Sequence, residues 1–235
     1  MTKKSSKNKS GILGGTFDPV TLGHLGLARD IQEKVNLDRI WFIPAWQSPH
    51  KQDQLPTDAS HRLSMLKEAL ASYPHFEISE IELNQKEVSY TINTLTTLQN
   101  QYPDIEWYLI LGMDTFQSFP TWKNVREILE SVHLVVATRP GYSKGLASKT
   151  LQAMMDNLPF SYQLHRQANG VQTYLCQETK KTLLFCDIEP LDISSSEIRE
   201  RIKCGLSVKN MLPPEIERYI MAHHLYQANP RPQPE

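Results

Sequence analysis

Two stretches of this chain bring together residue types that hold phosphate. The first runs from Gly11 to His24, GILGGTFDPVTLGH, in which Ile12 and Leu13 lead into Gly14 and Gly15 and a helical pattern opens at Thr21. A strand that ends in paired glycines turns sharply and leaves its N–H groups uncovered, so anionic oxygen can approach where a β-carbon would otherwise stand. The following helix has Leu25, Ala28, Ile31 and Val35 at spacings of three and four and aims its positive end at the same place, with His24 in its first turn. Backbone donors from Gly15 and Thr16, the Thr21 hydroxyl and the His24 imidazole are thereby expected at one point. The second stretch is Asp192 to Arg199, DISSSEIR, which puts the hydroxyls of Ser194, Ser195 and Ser196, uncovered N–H groups and the Arg199 guanidinium on the first turn of another helix. Glycines alone serve packing turns, and a serine-rich cap can stand beside a solvated arginine. His24 and the Thr16-Phe17-Asp18-Pro19 spacing turn the reading toward an anion site. It is not a P-loop, because no Gly-Lys-Ser/Thr follows, nor is it the G-x-G-x-x-G dinucleotide pattern.

The elements that must carry these groups alternate along the chain. Arg39 to Pro44 (RIWFIP), Glu106 to Leu111 (EWYLIL) and His133 to Ala137 (HLVVA) are nearly continuous apolar runs, the pattern of parallel strands covered on both faces. Helical spacing recurs at Leu63, Leu66 and Leu70 behind a cap at Asp58, and at Ile92, Leu95 and Leu98 after Ser89-Tyr90-Thr91; His75 to Ile78 reads as a short strand. This alternation predicts an α/β fold with a doubly wound parallel sheet. Farther on, Leu146 to Leu158 reads as a helix and Val171 to Leu175 and Thr182 to Cys186 as strands, with an uninformative polar stretch between. A last helix after Pro213-Pro214 turns Ile216 and Ile220 inward. The expected division is a disordered basic tail over 1–10, dispensable for activity, one domain over 11–190, a small helical part over 191–227 packed on it, and a proline-rich disordered tail over 228–235.

Composition narrows the partners. With 25 Lys and Arg against 26 Asp and Glu, and four of the lysines in the first ten residues, the body of the chain is acidic and has no broad nucleic-acid-binding charge. Cys176, Cys186 and Cys204 are far apart and odd in number, which suits a reducing compartment rather than a disulfide framework. The basic start is not followed by the apolar core of a signal peptide, and no run reaches the roughly 20 apolar residues of a membrane span. A cytoplasmic protein with small-molecule partners, no nucleic acid and no membrane is expected, its oligomeric state left open. His223 and His224 are adjacent and diverge by about 100° on a helix, and no Cys/His grouping has zinc spacing.

GGTFDPVTLGH resembles the N-terminal signature of nucleotidyltransferases whose pattern is written (H/T)xGH, in particular the bacterial nicotinate-nucleotide adenylyltransferases. Histidine is usual in that branch where this chain has Thr21; threonine is usual in the phosphopantetheine branch. ISSSEIR is similar to the ISSTxIR motif that grips the ATP phosphates, with Ser196 in place of threonine. Three further stretches resemble the nicotinate branch. SYTINTL, from Ser89 to Leu95, is similar to SYTxxTL, whose N–H groups and Thr91 hydroxyl receive the pyridine carboxylate. GMDTFQSFPTW, from Gly112 to Trp122, is similar to GxDxxxxFPxW, where Asp114 helps order the nucleotide and Trp122 stacks on the pyridine. SPHKQ, from Ser48, resembles the loop that reaches the mononucleotide phosphate through His50 and Lys51, and Arg139 in ATRPGY matches a family position.

The resemblance spans Gly14 to Arg199 and implies a Rossmann-like nucleotidyltransferase fold with a small C-terminal helical part. It implies transfer of the adenylyl group of ATP to nicotinate mononucleotide in NAD biosynthesis. The residues it assigns to ATP are Gly14, Gly15, Thr16, Phe17, His24, Ser195, Ser196 and Arg199, with His24, Thr21 and Arg199 catalytic. To nicotinate mononucleotide it assigns His50, Lys51, Ser89, Tyr90, Thr91, Asp114, Trp122 and Arg139. Mg²⁺ is expected on the triphosphate, held by phosphate oxygens and water, because no carboxylate cage is evident. The alternatives are transfer to nicotinamide mononucleotide or phosphopantetheine, and a nucleotide-binding sensor that has lost catalysis, at which only Thr21 hints.

Overall fold

The continuous apolar runs form the centre of one eight-stranded sheet. The computed structural model describes residues 8–49, 55–138, 146–189 and 193–228; the expectations placed on His50, Lys51, Arg139, Asp192 and the terminal stretches 1–7 and 229–235 lie outside them. The strands are β1 (Asn8–Gly15), β2 (Arg39–Pro44), β3 (Phe76–Ile78), β4 (Ile105–Gly112), β5 (His133–Thr138), β6 (Tyr162–Ala168), β7 (Val171–Cys176) and β8 (Thr182–Asp187), ordered β3-β2-β1-β4-β5-β8-β7-β6. Neighbours from β3 across to β8 are parallel, whereas β7 is antiparallel to both β8 and β6. The helices are α1 (Leu22–Val35), α2 (Ala59–Leu70), α3 (Ile81–Gln85), α4 (Thr91–Gln101), α5 (Met113–Ser118), α6 (Val125–Ser131), α7 (Leu146–Met155), α8 (Ser195–Lys203) and α9 (Pro214–Ala222), with a 3₁₀ turn at Phe119–Thr121. Among the described residues no helix is long and apolar enough to cross a membrane.

Side chains alternate across a strand, so the two faces of the sheet feed two cores. Leu13, Phe42, Ile110 and Val135 pack with residues of α1, α2, α8 and α9, while Ile12, Ile43, Leu109 and Val136 pack with residues of α4, α5, α6 and α7. This is the doubly wound arrangement, with an antiparallel hairpin added at one edge. α8 and α9 contribute Ile198, Ile202, Ile216 and Ile220 to the core that α1 and α2 share, so the C-terminal helical part completes one face of the sheet and has no core of its own. The strand missed in the sequence is β6: the side chains from Gln163 to Gln167 are exposed and it pairs only with β7, so no apolar face announces it.

The sheet begins three residues earlier than Gly11. Asn8, Lys9 and Ser10 pair with Ile105, Glu106 and Trp107, and the Lys9 N–H donates to Asp38 Oδ2 at 2.7 Å while its carbonyl accepts from the Asp38 N–H. Ser10 is 1% exposed. The expected tail over 1–10 is therefore wrong at its end, because backbone pairing does not need apolar side chains. A chain starting at Asn8 should keep its Tm. One starting at Gly11 loses about three ladder hydrogen bonds, on the order of 1 kcal/mol each, and its Tm should fall by roughly 5 to 10 °C in a thermal melt. Equal Tm values for the two chains would return these residues to the tail.

Candidate active site

In an open parallel sheet, ligands lie beyond the carboxyl ends of the strands where the strand order reverses, here between β1 and β4. Both strands end there in glycine, and among the described residues a β-carbon on Gly14 or on Gly112 would meet no neighbouring atom within 4 Å. At Gly15, the last residue of β1, a β-carbon would lie 3.1 Å from the Phe17 ring, so the open side is at Gly14. Beyond Gly15 the chain bends through Phe17, whose φ of 49° costs a bulky residue about 1 to 2 kcal/mol. The Phe17 ring is buried against Phe42 and His24, with centroids 5.6 and 5.2 Å away. Phe17 can therefore meet a nucleotide only through its backbone, which corrects any expectation of a side-chain contact.

Thr21 and His24 are joined in a capping box at the start of α1. The Thr21 N–H donates to His24 Nδ1 at 3.1 Å, the Thr21 hydroxyl lies 2.8 Å from the same nitrogen, and the His24 N–H donates to Thr21 Oγ1 at 3.3 Å. A backbone N–H can only donate, so Nδ1 of the neutral ring is the acceptor and the proton sits on Nε2. Burial lowers the His24 pKa from 6.5 to about 4, which keeps the ring neutral near pH 7. The result is an imidazole held as an Nε2–H donor. Thr21 is completely buried and its hydroxyl is engaged inside the cap, so the expected hydrogen bond from Thr21 to phosphate is not available; Thr21 positions His24 instead. Thr21→Val should remove the cap, lowering stability by about 1 kcal/mol and kcat by several-fold, with Thr21→Ser restoring both. Turnover unchanged in Thr21→Val, measured beside its melting curve, would leave the cap with no part in orienting the ring.

α8 is brought to the same turn. Ser194 caps it by accepting from the Glu197 N–H at 3.1 Å, leaving the Ser195 and Ser196 N–H groups at its open end. The Ser195 hydroxyl donates to the Pro19 carbonyl at 2.8 Å, and Arg199 donates through Nη1 to the Asp18 carbonyl at 2.7 Å and through Nη2 to Ser196 Oγ at 3.3 Å. Toward a ligand Ser195 therefore offers its N–H rather than its hydroxyl proton. Arg199 has five donors and keeps most of its fork. The two phosphate-type stretches of the sequence, about 180 residues apart, are thus hydrogen-bonded to each other.

Beneath the turn lies a polar network that the sequence did not reveal. Arg62 on α2 is 1% exposed and donates to three carbonyls: Thr16 at 2.7 Å, Ala45 at 2.8 Å and Thr57 at 2.9 Å. One guanidinium so ties the glycine turn to the described residues on both sides of 50–54, the stretch that includes His50 and Lys51. Asp18 accepts from the Thr57 N–H at 3.2 Å and from the Tyr226 hydroxyl at 2.6 Å. Burial raises the Tyr226 pKa, so its phenol remains a donor. In the sequence Arg62 sits in an ordinary amphipathic helix and Tyr226 beyond the last one, where nothing marks either as buried.

Of the residues expected to hold the acceptor, Ser89 and Tyr90 are linked to this turn. Ala45 N–H donates to the Gly15 carbonyl at 2.9 Å, Trp46 N–H to Ser89 Oγ at 3.1 Å and Ser89 N–H to the Gln47 carbonyl at 3.0 Å, linking the end of β1 to the Ser89–Thr91 turn. Tyr90 is the N-cap of α4 and makes no side-chain cap bond, so the first N–H groups of that helix are not capped by it. Lys123, which follows Trp122, places its ammonium 4.4 Å from the centre of the Tyr90 ring, which brings the FPTW segment to the SYT turn. Trp122 is partly exposed and packs edge-on to Phe119 at 5.2 Å; Asp114 is exposed in the first turn of α5, at the end of β4. Lys123 is a residue the sequence reading passed over.

Residues 12–201 match the cytidylyltransferase-like family. The chain is 34% identical over 220 residues to a probable nicotinate-nucleotide adenylyltransferase of Bacillus pumilus, covering 94% of this chain and 99% of that one. It is 36% identical over 219 residues to another from Clostridium tetani, covering 93% and 99%. Its fold is similar to that of the nicotinic acid mononucleotide adenylyltransferase of Plasmodium falciparum solved with NaAD, at a TM-score of 0.71 and 19% identity over 94% of this chain and 98% of that one.

Proposed function

Because this chain belongs to the cytidylyltransferase-like family, and within it to the nicotinate-nucleotide adenylyltransferases, we infer that it joins ATP and nicotinate mononucleotide to give nicotinate adenine dinucleotide and pyrophosphate, a step of NAD biosynthesis. The mononucleotide phosphate is already an anion and attacks the α-phosphorus in line. A P–O bond forms to that phosphorus as its bond to the oxygen of the departing pyrophosphate breaks, and no proton has to move. Catalysis then reduces to holding two anions together and stabilising charge on the transferring group. The observation that carries this reading is the convergence of the His24 donor with the open end of α8 and Arg199 at the β1/β4 switch point.

In this assignment the Gly15 and Thr16 N–H groups and His24 Nε2–H meet the α-phosphate, with Gly14 leaving room, while the N–H groups of Ser195 and Ser196 and the Arg199 fork take the leaving phosphates. The start of α4 at Tyr90 and Thr91 holds the pyridine with Trp122, Ser89 supports that turn through its bonds to Gln47 and Trp46, and Asp114 orders the nucleotide. His50, Lys51 and Arg139 keep the roles the family motif gives them. Mg²⁺ would enter with ATP and neutralise phosphate charge, with phosphate oxygens and water as its expected ligands; the Asp18 carboxylate is engaged with Tyr226 and Thr57. The free cysteines suit a reducing compartment, and we place the reaction in the cytoplasm. The sensor alternative drew only on Thr21, and its cap gives that residue a duty that keeps His24 a donor.

Pyrophosphate release from ATP, measured with nicotinate mononucleotide, nicotinamide mononucleotide and phosphopantetheine in turn, tests the assignment. Release with the first acceptor is expected to dominate. Release with none of them would favour the sensor.

A further inference from the structure

Glu82, on the short helix α3, is 8% exposed, and no described residue forms an ion pair with it. Its carboxylate accepts from the Thr94 hydroxyl at 2.6 Å. Burial pushes its pKa up, and the Thr94 and Ser89 hydroxyls, which both face it, pull it down. A buried acid without a counter-charge is a poor source of stability, and an apolar residue of the same size would cost less. What the acid supplies is geometry. Ser89 lies just before α4 and Thr94 one turn into it, so one carboxylate grips both ends of the segment containing Tyr90 and Thr91.

The grip extends further through Ser89. Ser89 Oγ, which faces Glu82, accepts from the Trp46 N–H, and Ser89 N–H holds the Gln47 carbonyl while Val88 bridges Gln47. Ala45 then connects to the Gly15 carbonyl. A carboxylate only accepts, so it can take both hydroxyls at once and orient both. A glutamine would have to turn its NH₂ toward one of them.

We propose that Glu82 is a positioning residue for the acceptor pocket: it sets the Ser89–Thr94 turn and thereby the affinity for the nicotinate group, touching neither substrate. This rests on the reading of Ser89–Thr91 and Trp122 as that pocket. Steady-state kinetics of Glu82→Ala, Glu82→Gln and Trp122→Ala separate the two claims. Glu82→Ala should raise KM for nicotinate mononucleotide about 10-fold or more and leave kcat and KM for ATP within about 2-fold, while Glu82→Gln, which keeps an acceptor for Thr94, should recover part of the loss. Should Glu82→Ala fail to fold, Glu82→Gln carries the same expectation at a few-fold. If Trp122→Ala raises that KM and the Glu82 variants do not, or if they shift kcat and both KM values alike, the positioning role is overturned and the pocket stands. If Trp122→Ala leaves the KM unchanged, the pocket reading falls and this inference with it.

Discussion

His24→Ala is expected to lower kcat by on the order of 10²-fold or more with the fold intact, because it removes a donor aimed at charge that grows in the transition state. The geometry gives the side chain two jobs that the substitution separates. Nδ1 receives the Thr21 N–H, which is worth about 1 kcal/mol of stability as half of a capping box; Nε2–H is left for the ligand, and no described residue pairs with it. His24→Asn, which supplies a donor on a shorter arm, should keep more stability than activity. The charge state is part of the same prediction. The folded pKa of about 4 lies below the ordinary 6.5, so the unfolded chain binds a proton first as pH falls, and the stability held above about pH 6.5 is progressively lost toward about pH 4. His133, also lowered to about 4 by burial, adds to this loss in the same direction. Wild type should therefore lose its stability advantage over His24→Ala on acidification through that range. Near-normal turnover in His24→Ala would take the residue out of the mechanism.

What could be seen in the sequence follows from which physical signal each feature carries. RIWFIP, EWYLIL and HLVVA are buried on both faces as β2, β4 and β5, and such strands leave unbroken apolar runs. β6 is an edge whose exposed row is polar except for Leu164 and leaves none, and β1 starts in Asn8-Lys9-Ser10, which pair with β4 through the main chain. The glycine turn, His24 and the α8 cap stand out in the sequence because helix starts and tight turns need particular residue types at fixed spacing. Thr21 was visible but misread: a hydroxyl that caps a helix and one that donates to phosphate look the same until burial is known. Arg62, Glu82 and Tyr226 were invisible for a related reason. A charged or phenolic side chain on an amphipathic helix, or in a terminal turn, is normally solvated, and only the tertiary fold buries Arg62 and Glu82 and half-buries Tyr226, where hydrogen bonds must replace the lost water.

The second large effect expected is a preference for the acid over the amide of the pyridine nucleotide, by on the order of 10² to 10⁴ in kcat/KM. A carboxylate only accepts hydrogen bonds, so the N–H groups at the start of α4, which the Tyr90 side chain does not cap, can satisfy it while the helix dipole favours its charge. Lys123, held over the Tyr90 ring, adds a cation at the rim. A carboxamide in the same place would turn an NH₂ toward donors and leave groups on both sides unpaired. Each such mismatch costs roughly 1 to 3 kcal/mol, and two of them give the range stated. The contributions can be pulled apart by substitution. Trp122→Ala should weaken both mononucleotides together, since stacking does not sense the substituent, whereas Thr91→Val should narrow the preference by withdrawing a hydroxyl donor. Lys123→Met should narrow it less, because Lys123 is exposed and solvent screens its charge. Comparable kcat/KM values for the two mononucleotides in the unmodified enzyme would remove this account of the pocket even with adenylyl transfer confirmed, because uncapped N–H donors at α4 would then have no carboxylate to distinguish.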